Sequence, residues 1–277
     1  MSLPSALIIG PQKAGTTWIH RYLESRGDVC LPHGVKETMF FDRHYKKGAD
    51  WYAEHFQPAS GMQHTIEVAP TYFHHPDTAA RIHDELGSIP LVCTLRDPAQ
   101  RSFSLYLHMR RYGMTTCTDF REAVSKHPEI IETSFYATHL KRWFEIFGQE
   151  KVLVLMQSDL AERPQSYTRM LCNHLELPYV EPGEMLHERV NSAALPTSPV
   201  LASVGQKIAD SLRTAGMYPL INIAKRAGLK SLFFGRSGNT VPKLSPEERC
   251  WILERLRPEV RELEAMLQRD LSDWSKC

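Results

Sequence analysis

A three-layer α/β sandwich, with a central parallel sheet between layers of helices, is the fold class this sequence predicts. Three observations predict it. Three short apolar runs, residues 6–9, 91–95 and 152–156, lack the alternation of a half-wet strand and fit strands buried on both faces. Helix-length stretches separate them, which is the order a parallel sheet with crossover connections requires. Two of the runs end in turn residues, Gly10-Pro11 and Asp97-Pro98, each leading into a helical pattern.

The elements follow in order. Ala6-Leu7-Ile8-Ile9 is the first strand, and residues 17–24 are the first helix. Residues 78–86 are helical and feed the strand at 91–95, after which 100–111 reads as a helix. Short helices are expected near 120–124 and over 135–147, ahead of the strand at 152–156. Residues 196–242 carry many Gly and Pro. They read as a covering loop or lid, with 200–215 helical and 220–234 either loop or a short helix facing substrate. Ser245-Pro246-Glu247-Glu248 has the pattern of a capping box with proline at the first helical position. Pro258 is expected to break that helix and start another. Leu263, Met266, Leu267 and Leu271 form an apolar stripe that reads as core. A length of 277 residues suits one domain spanning 1–277.

Composition excludes several classes. Apolar content is 42%, charged content 23% and net charge +1, so nothing global points to nucleic acid or a membrane surface. No run approaches the roughly 20 apolar residues of a membrane helix, and no secretory leader is visible, so a cytoplasmic location is expected. The six cysteines form no C-x-x-C pair, which predicts reduced thiols and no zinc site.

The chemistry concentrates in Gly10-Pro11-Gln12-Lys13-Ala14-Gly15-Thr16-Thr17-Trp18. A strand, a tight turn and a helix N-terminus make an anion cradle from free N–H groups and the helix dipole. Gly10 and Gly15 are spaced like the glycines of a nucleoside triphosphatase loop, G-x-x-x-x-G-K-[ST], so the fold is P-loop-like. Thr16, however, stands where the lysine of that loop belongs, and the lysine lies inside the loop at Lys13. That departure weighs against a nucleotide kinase or GTPase. In the second segment, Arg96-Asp97-Pro98-Ala99-Gln100-Arg101-Ser102-Phe103-Ser104, a guanidinium fork and a hydroxyl suit a second phosphate.

The pair of motifs resembles the sulfotransferases that use 3′-phosphoadenosine 5′-phosphosulfate (PAPS). Lys36-Glu37-Thr38-Met39-Phe40-Phe41-Asp42 and Ile66-Glu67-Val68-Ala69-Pro70-Thr71-Tyr72-Phe73 are similar to the heparan-sulfate-sulfotransferase-like and bacterial branch. The resemblance implies that Lys13, Ala14, Gly15, Thr16 and Thr17 hold the 5′-phosphosulfate and that Trp18 contacts adenine, with a core tryptophan as the other reading. It implies that Arg96 and Ser104 hold the 3′-phosphate, with Arg236 a candidate for the rest of that clamp. Lys13 would follow charge onto the leaving group. Glu37 would be the general base, its other reading being a surface carboxylate paired with Lys36; the sign of its pKa shift is not legible in sequence. His108, one helical turn after Ser104, is an auxiliary acid/base or a structural histidine.

Two departures stand out. The heparan-type lysine of the 66–73 block is Val68 here, and the Pro-Arg-Ser of bacterial relatives is Pro196-Thr197-Ser198, downstream of Asn191. The implied reaction is sulfuryl transfer to a hydroxyl, before an amine, of a small-molecule, lipid or glycan acceptor, with no metal. A P-loop kinase and a non-catalytic nucleotide-binding module are the alternatives. Phe40, Tyr45, Tyr72, Met217, Tyr218, Phe233 and Phe234 read either as an aromatic acceptor pocket or as core.

Overall fold

Strand β1 (Ala6–Gly10) is buried along its whole length, and the sheet is laid out around it. The computed structural model describes residues 2–183 and 242–277. After β1 come α1 (Thr16–Glu24), β2 (Val29–Cys30), a π-helical turn at Phe40–His44, α2 (Gly48–Ala53) and β3 (His64–Val68). The chain then forms α3 (Thr78–Leu86), β4 (Leu91–Leu95), α4 (Pro98–Arg111), α5 (Phe120–Lys126), α6 (Glu129–Glu132) and α7 (Tyr136–Phe147). β5 (Val152–Met156), α8 (Gln157–Glu162), α9 (Pro164–His174) and α10 (Pro246–Leu267) complete the described strands and α-helices. The strands are all parallel, in the order β2-β3-β1-β4-β5.

Alternate residues of β1 serve opposite layers. Leu7 and Ile9 face the side packed by α3, α7 and the C-terminal half of α10. Ala6 and Ile8 face the side packed by α1 and α9. A third cluster joins α4, α5 and α6 to Ile252, Leu253 and Leu256 of α10. From β1 the chain runs out to β2 and back through β3 on one side, and from β4 it runs on to β5 on the other. The crevice at the carboxyl ends of β1 and β4 is therefore a topological switch point, where open α/β sheets bind ligands.

The three expected strands are present, and the sheet contains two more. β3 carries Glu67 amid its apolar residues, which disguises it as a strand, and β2 is only two residues long. α10 runs unbroken through Pro258, which corrects the expected helix break. Pro258 is exposed, so the carbonyl it leaves unpaired faces water. The buried row Ile252, Leu253, Leu256, Val260 and Leu263 continues across it, and that packing outweighs the roughly 3 kcal/mol a helical proline costs. The capping box forms as expected: the Ser245 hydroxyl accepts from the Glu248 amide (3.1 Å), and the Glu248 carboxylate accepts from the Ser245 amide (2.9 Å). The expected covering region up to residue 241 lies outside the described residues.

Candidate active site

The β1–α1 loop is shaped by its glycines. Gly10 has φ +108°, and a Cβ there would fall 2.6 Å from Pro70 Cα, on the backbone leaving β3. Gly15 caps α1 with φ +106°, and a Cβ would meet the Gln157 side chain at 3.4 Å. No side chain caps α1 and no acidic residue lies in its first turn, so its amino end offers N–H groups and positive potential to an outside anion. Two bonds from β4 and the residue after it fix the loop. Thr94 Oγ1 donates to the Ala14 carbonyl (3.1 Å), and Arg96 Nη1 donates to the Lys13 carbonyl (3.3 Å).

Cations gather at this point. Lys36, arriving from the segment after β2, donates from Nζ to Thr17 Oγ1 (3.2 Å). Burial and then the charges of Arg96, Arg111, Lys36 and Arg101 bring the Lys13 ammonium down to about 8. The charges that act most strongly on Lys13 are all positive, so the structure fits a polyanionic ligand as the missing counter-charge. Arg101 is wholly buried, donating to Ser134 Oγ, Ser102 Oγ and the Ile130 carbonyl, while its Nη1 has no partner among the described residues.

α4 brings the second motif alongside. Asp97 caps it, accepting from the Gln100 amide (2.8 Å), and Arg249 of α10 grips the same carboxylate through two bonds (3.1 and 2.9 Å). Ser104 and His108 sit half-buried, one turn apart, on a helix whose other faces are packed. Burial, Lys13 and Arg111 push the His108 imidazole down to about 4, so it is neutral across the physiological range and shares space with Lys13. Its ring lies 4.6 Å from that of Tyr112.

Glu37 is half-buried beside Lys36. The structure supplies the sign the sequence withheld: burial raises its carboxyl to about 7, Glu67 and Asp42 adding to the rise while Lys36 and Arg43 oppose it. Trp18 is buried in the layer beneath α1, stacked on Tyr22 at 5.6 Å and edge-on to Tyr167 at 5.9 Å. Phe40 and Tyr72 are fully buried core residues and do not line an open pocket; the Tyr45 hydroxyl donates to Glu85 (2.9 Å). Arg236, Asn191, residues 196–198, Met217, Tyr218, Phe233 and Phe234 lie outside the described residues.

The structure thus brings Lys13, Thr16, Thr17, Arg96, Ser104, His108 and Glu37 to one end of the sheet. It adds Lys36 and Glu67, to which sequence reasoning gave no role of their own. The available signal for Glu67 was a carboxylate inside an apolar strand, which a fold tolerates only with dedicated partners.

Among the described residues no group of three or more His, Cys, Asp or Glu side chains could hold a metal ion, and no helix is long and apolar enough to cross a membrane.

Comparison with known proteins gives a consistent family. A sulfotransferase domain profile matches residues 3–195. A membrane-associated sulfotransferase from Dictyostelium discoideum is 30% identical over 159 residues, 54% of this chain and 33% of that protein. The bifunctional heparan sulfate N-deacetylase/N-sulfotransferase 1 of Caenorhabditis elegans is 28% identical over 193 residues, covering 64% of this chain and 22% of its own. The human bifunctional heparan sulfate N-deacetylase/N-sulfotransferase 2 is 30% identical over 182 residues, 58% and 21% of the two chains. This chain accordingly spans about a fifth to a third of the length of these relatives. Among solved structures, a sulfotransferase from Alicyclobacillus acidocaldarius superposes with a TM-score of 0.70 at 23% identity over the whole of both chains, a likeness of fold.

Proposed function

The chain belongs to the sulfotransferase domain family, and from that premise we propose that it moves the sulfuryl group of PAPS onto a hydroxyl of a small-molecule, lipid or glycan acceptor. The observation that carries this reading is the cluster of cations at the amino end of α1, set beside a carboxylate whose pKa is raised. Lys13, Ala14, Gly15, Thr16 and Thr17 would hold the 5′-phosphosulfate. Arg96 and Ser104 would hold the 3′-phosphate, with Arg236 completing that clamp.

Transfer is an in-line displacement. The acceptor oxygen gives its proton to Glu37 and forms the new S–O bond as the S–O bond to the leaving phosphate breaks. Lys13 balances the charge that grows on the leaving oxygen, as preorganised cations do in related transfers. Lys13, Lys36 and Arg96 supply positive charge where a kinase uses Mg²⁺, so the reaction is proposed to need no metal. His108, neutral, is left to accept or donate a hydrogen bond at the acceptor.

An amine acceptor is a second reading, favoured by relatives whose names describe N-sulfotransferases. The reaction is placed in the cytoplasm, where the six free cysteines would persist as thiols. The test is transfer from radiolabelled PAPS across a panel of hydroxyl and amine acceptors, wild type against Glu37→Gln. The variant is expected to bind the product nucleotide normally and to lose about 10²–10⁴-fold in kcat. Unchanged turnover would remove Glu37 from the mechanism.

A further inference from the structure

Glu67 is the most completely bonded buried carboxylate near the site, and nothing in the transfer step described above uses it. It lies on β3 with no exposed surface. Its Oε1 accepts from the Thr38 amide (2.8 Å) and the Thr38 hydroxyl (2.7 Å). Its Oε2 accepts from the Tyr52 hydroxyl (2.7 Å) and the Tyr72 hydroxyl (3.1 Å). Among the described residues no Lys, Arg or His forms an ion pair with it. Thr38 directly follows Glu37, and Tyr72 also receives the Phe40 amide (3.0 Å), so these bonds fasten the chain on the carboxyl side of Glu37 to β3.

Four donors are spent on two oxygens. Burial raises the Glu67 carboxyl, and its bonds from Thr38, Tyr52 and Tyr72 oppose that rise. Burial also pushes the Tyr52 and Tyr72 phenols well above their ordinary value, so both remain donors at any working pH. Protonating Glu67 would leave one buried donor without its acceptor, at the cost of an unmade bond. The bonded arrangement is that of the ionised form.

We propose that Glu67 is a positioning residue for Glu37: it clamps the segment that carries the base, and its buried negative charge, added to burial, helps keep that base protonated to higher pH. The charges that act most on Glu37 are Lys36 beside it, Glu67 from β3, and Asp42 and Arg43 from the π-helical turn. Lys36 and Arg43 favour the carboxylate, whereas Asp42 and Glu67 favour the protonated form. A second negative charge beside a buried carboxylate makes ionising it harder, which keeps such a group usable as a base near neutrality. The inference rests on the reading of Glu37 as the base.

Glu67→Gln keeps the shape and removes the charge. The acid limb of the kcat/KM profile should move to lower pH by at least ~0.5 unit, and Tyr52→Phe, which disturbs the same packing but keeps the Glu67 charge, is the control that should move it less. The Glu37 carboxyl itself is followed by carbon-13 NMR on glutamate-labelled protein, its signal assigned through Glu37→Gln. In the wild type it should titrate at about 7 and in Glu67→Gln at lower pH. If Glu67→Gln does not fold, the double variant with Tyr52→Phe is measured instead, because it removes the hydroxyl that the new amide group would oppose. It too lacks the Glu67 charge, so the Glu37 midpoint should again fall. A Glu37 signal that titrates at the wild-type pH in whichever folded variant lacks that charge overturns the proposal. The NMR result stands apart from catalysis: if Glu37→Gln turns over normally while its signal still responds to Glu67, the base reading has failed and the coupling has not.

Discussion

At the scale of single residues, Glu37 and Lys13 are tuned toward each other. In the proposed mechanism Glu37 takes a proton and must be ionised, so kcat/KM should rise with pH through about 7. In the same mechanism Lys13 meets the leaving group as an ammonium, so kcat/KM should fall as pH rises through about 8. The expected profile is a narrow bell reporting the free enzyme. Replacing Lys13 by Ala should lower kcat about 10²–10³-fold and delete the alkaline limb, measured across pH 5–10. A profile that stays flat above pH 8 in the wild type would remove Lys13 from that role. The loop that presents Lys13 was legible because its residues are contiguous. Glu67 was not, because its partner Thr38 stands 29 positions away and only the fold puts them in contact.

At the scale of elements, the strand-to-helix units that form the candidate site were readable and the ties between them were not. β1, β4 and β5 are unbroken apolar runs, and the turns after β1 and β4 are marked by Gly and Pro. The position of α4, in contrast, depends on Arg249 gripping Asp97 across 152 residues, which no local pattern announces. Arg249→Met should leave the acceptor step alone and weaken binding of the donor nucleotide, read as a raised KM for PAPS with kcat within about twofold. The converse pattern, kcat falling with KM unchanged, would contradict an anchoring role. At the other end of α10, Arg269 forks the buried Asp159 (2.8 and 2.7 Å), which also accepts from Arg163. Hydrogen bonds from Arg269 hold the Asp159 carboxyl below its ordinary value. The stability this pair contributes is therefore present above the ordinary carboxylate range and lost as pH falls through the depressed value. Arg269→Ala should cost about 1–3 kcal/mol in urea unfolding at neutral pH, with the deficit shrinking in strong acid.

At the scale of the whole molecule, the sheet order sends the chain outward in opposite directions from β1 and β4, so the crevice between them collects one phosphate motif from each. The fold class was legible because buried parallel strands separated by helices leave few other arrangements. The smaller strands escaped notice because β2 is two residues long and β3 is interrupted by a charge. The same geometry explains the excess of cations at the site. Arg96, Arg101 and Lys36, arriving from two other segments of the chain, lower the proton affinity of Lys13, and no counter-charge registers among the main influences on it. A bound polyanion would relieve that repulsion, so saturating 3′-phosphoadenosine 5′-phosphate should raise the melting temperature by several degrees, as mass-action linkage requires. The central claim is that this cradle is built for a 3′,5′-bisphosphorylated adenosine and not for a nucleoside triphosphate. Calorimetric titration without Mg²⁺, with 3′-phosphoadenosine 5′-phosphate set beside ADP and AMP, tests it most directly. The account predicts tight binding of the bisphosphate and at least ~10-fold weaker binding of the other two, one good charge-assisted contact being worth that ratio. Preference for ADP, or binding that appears only when Mg²⁺ is added, would contradict it.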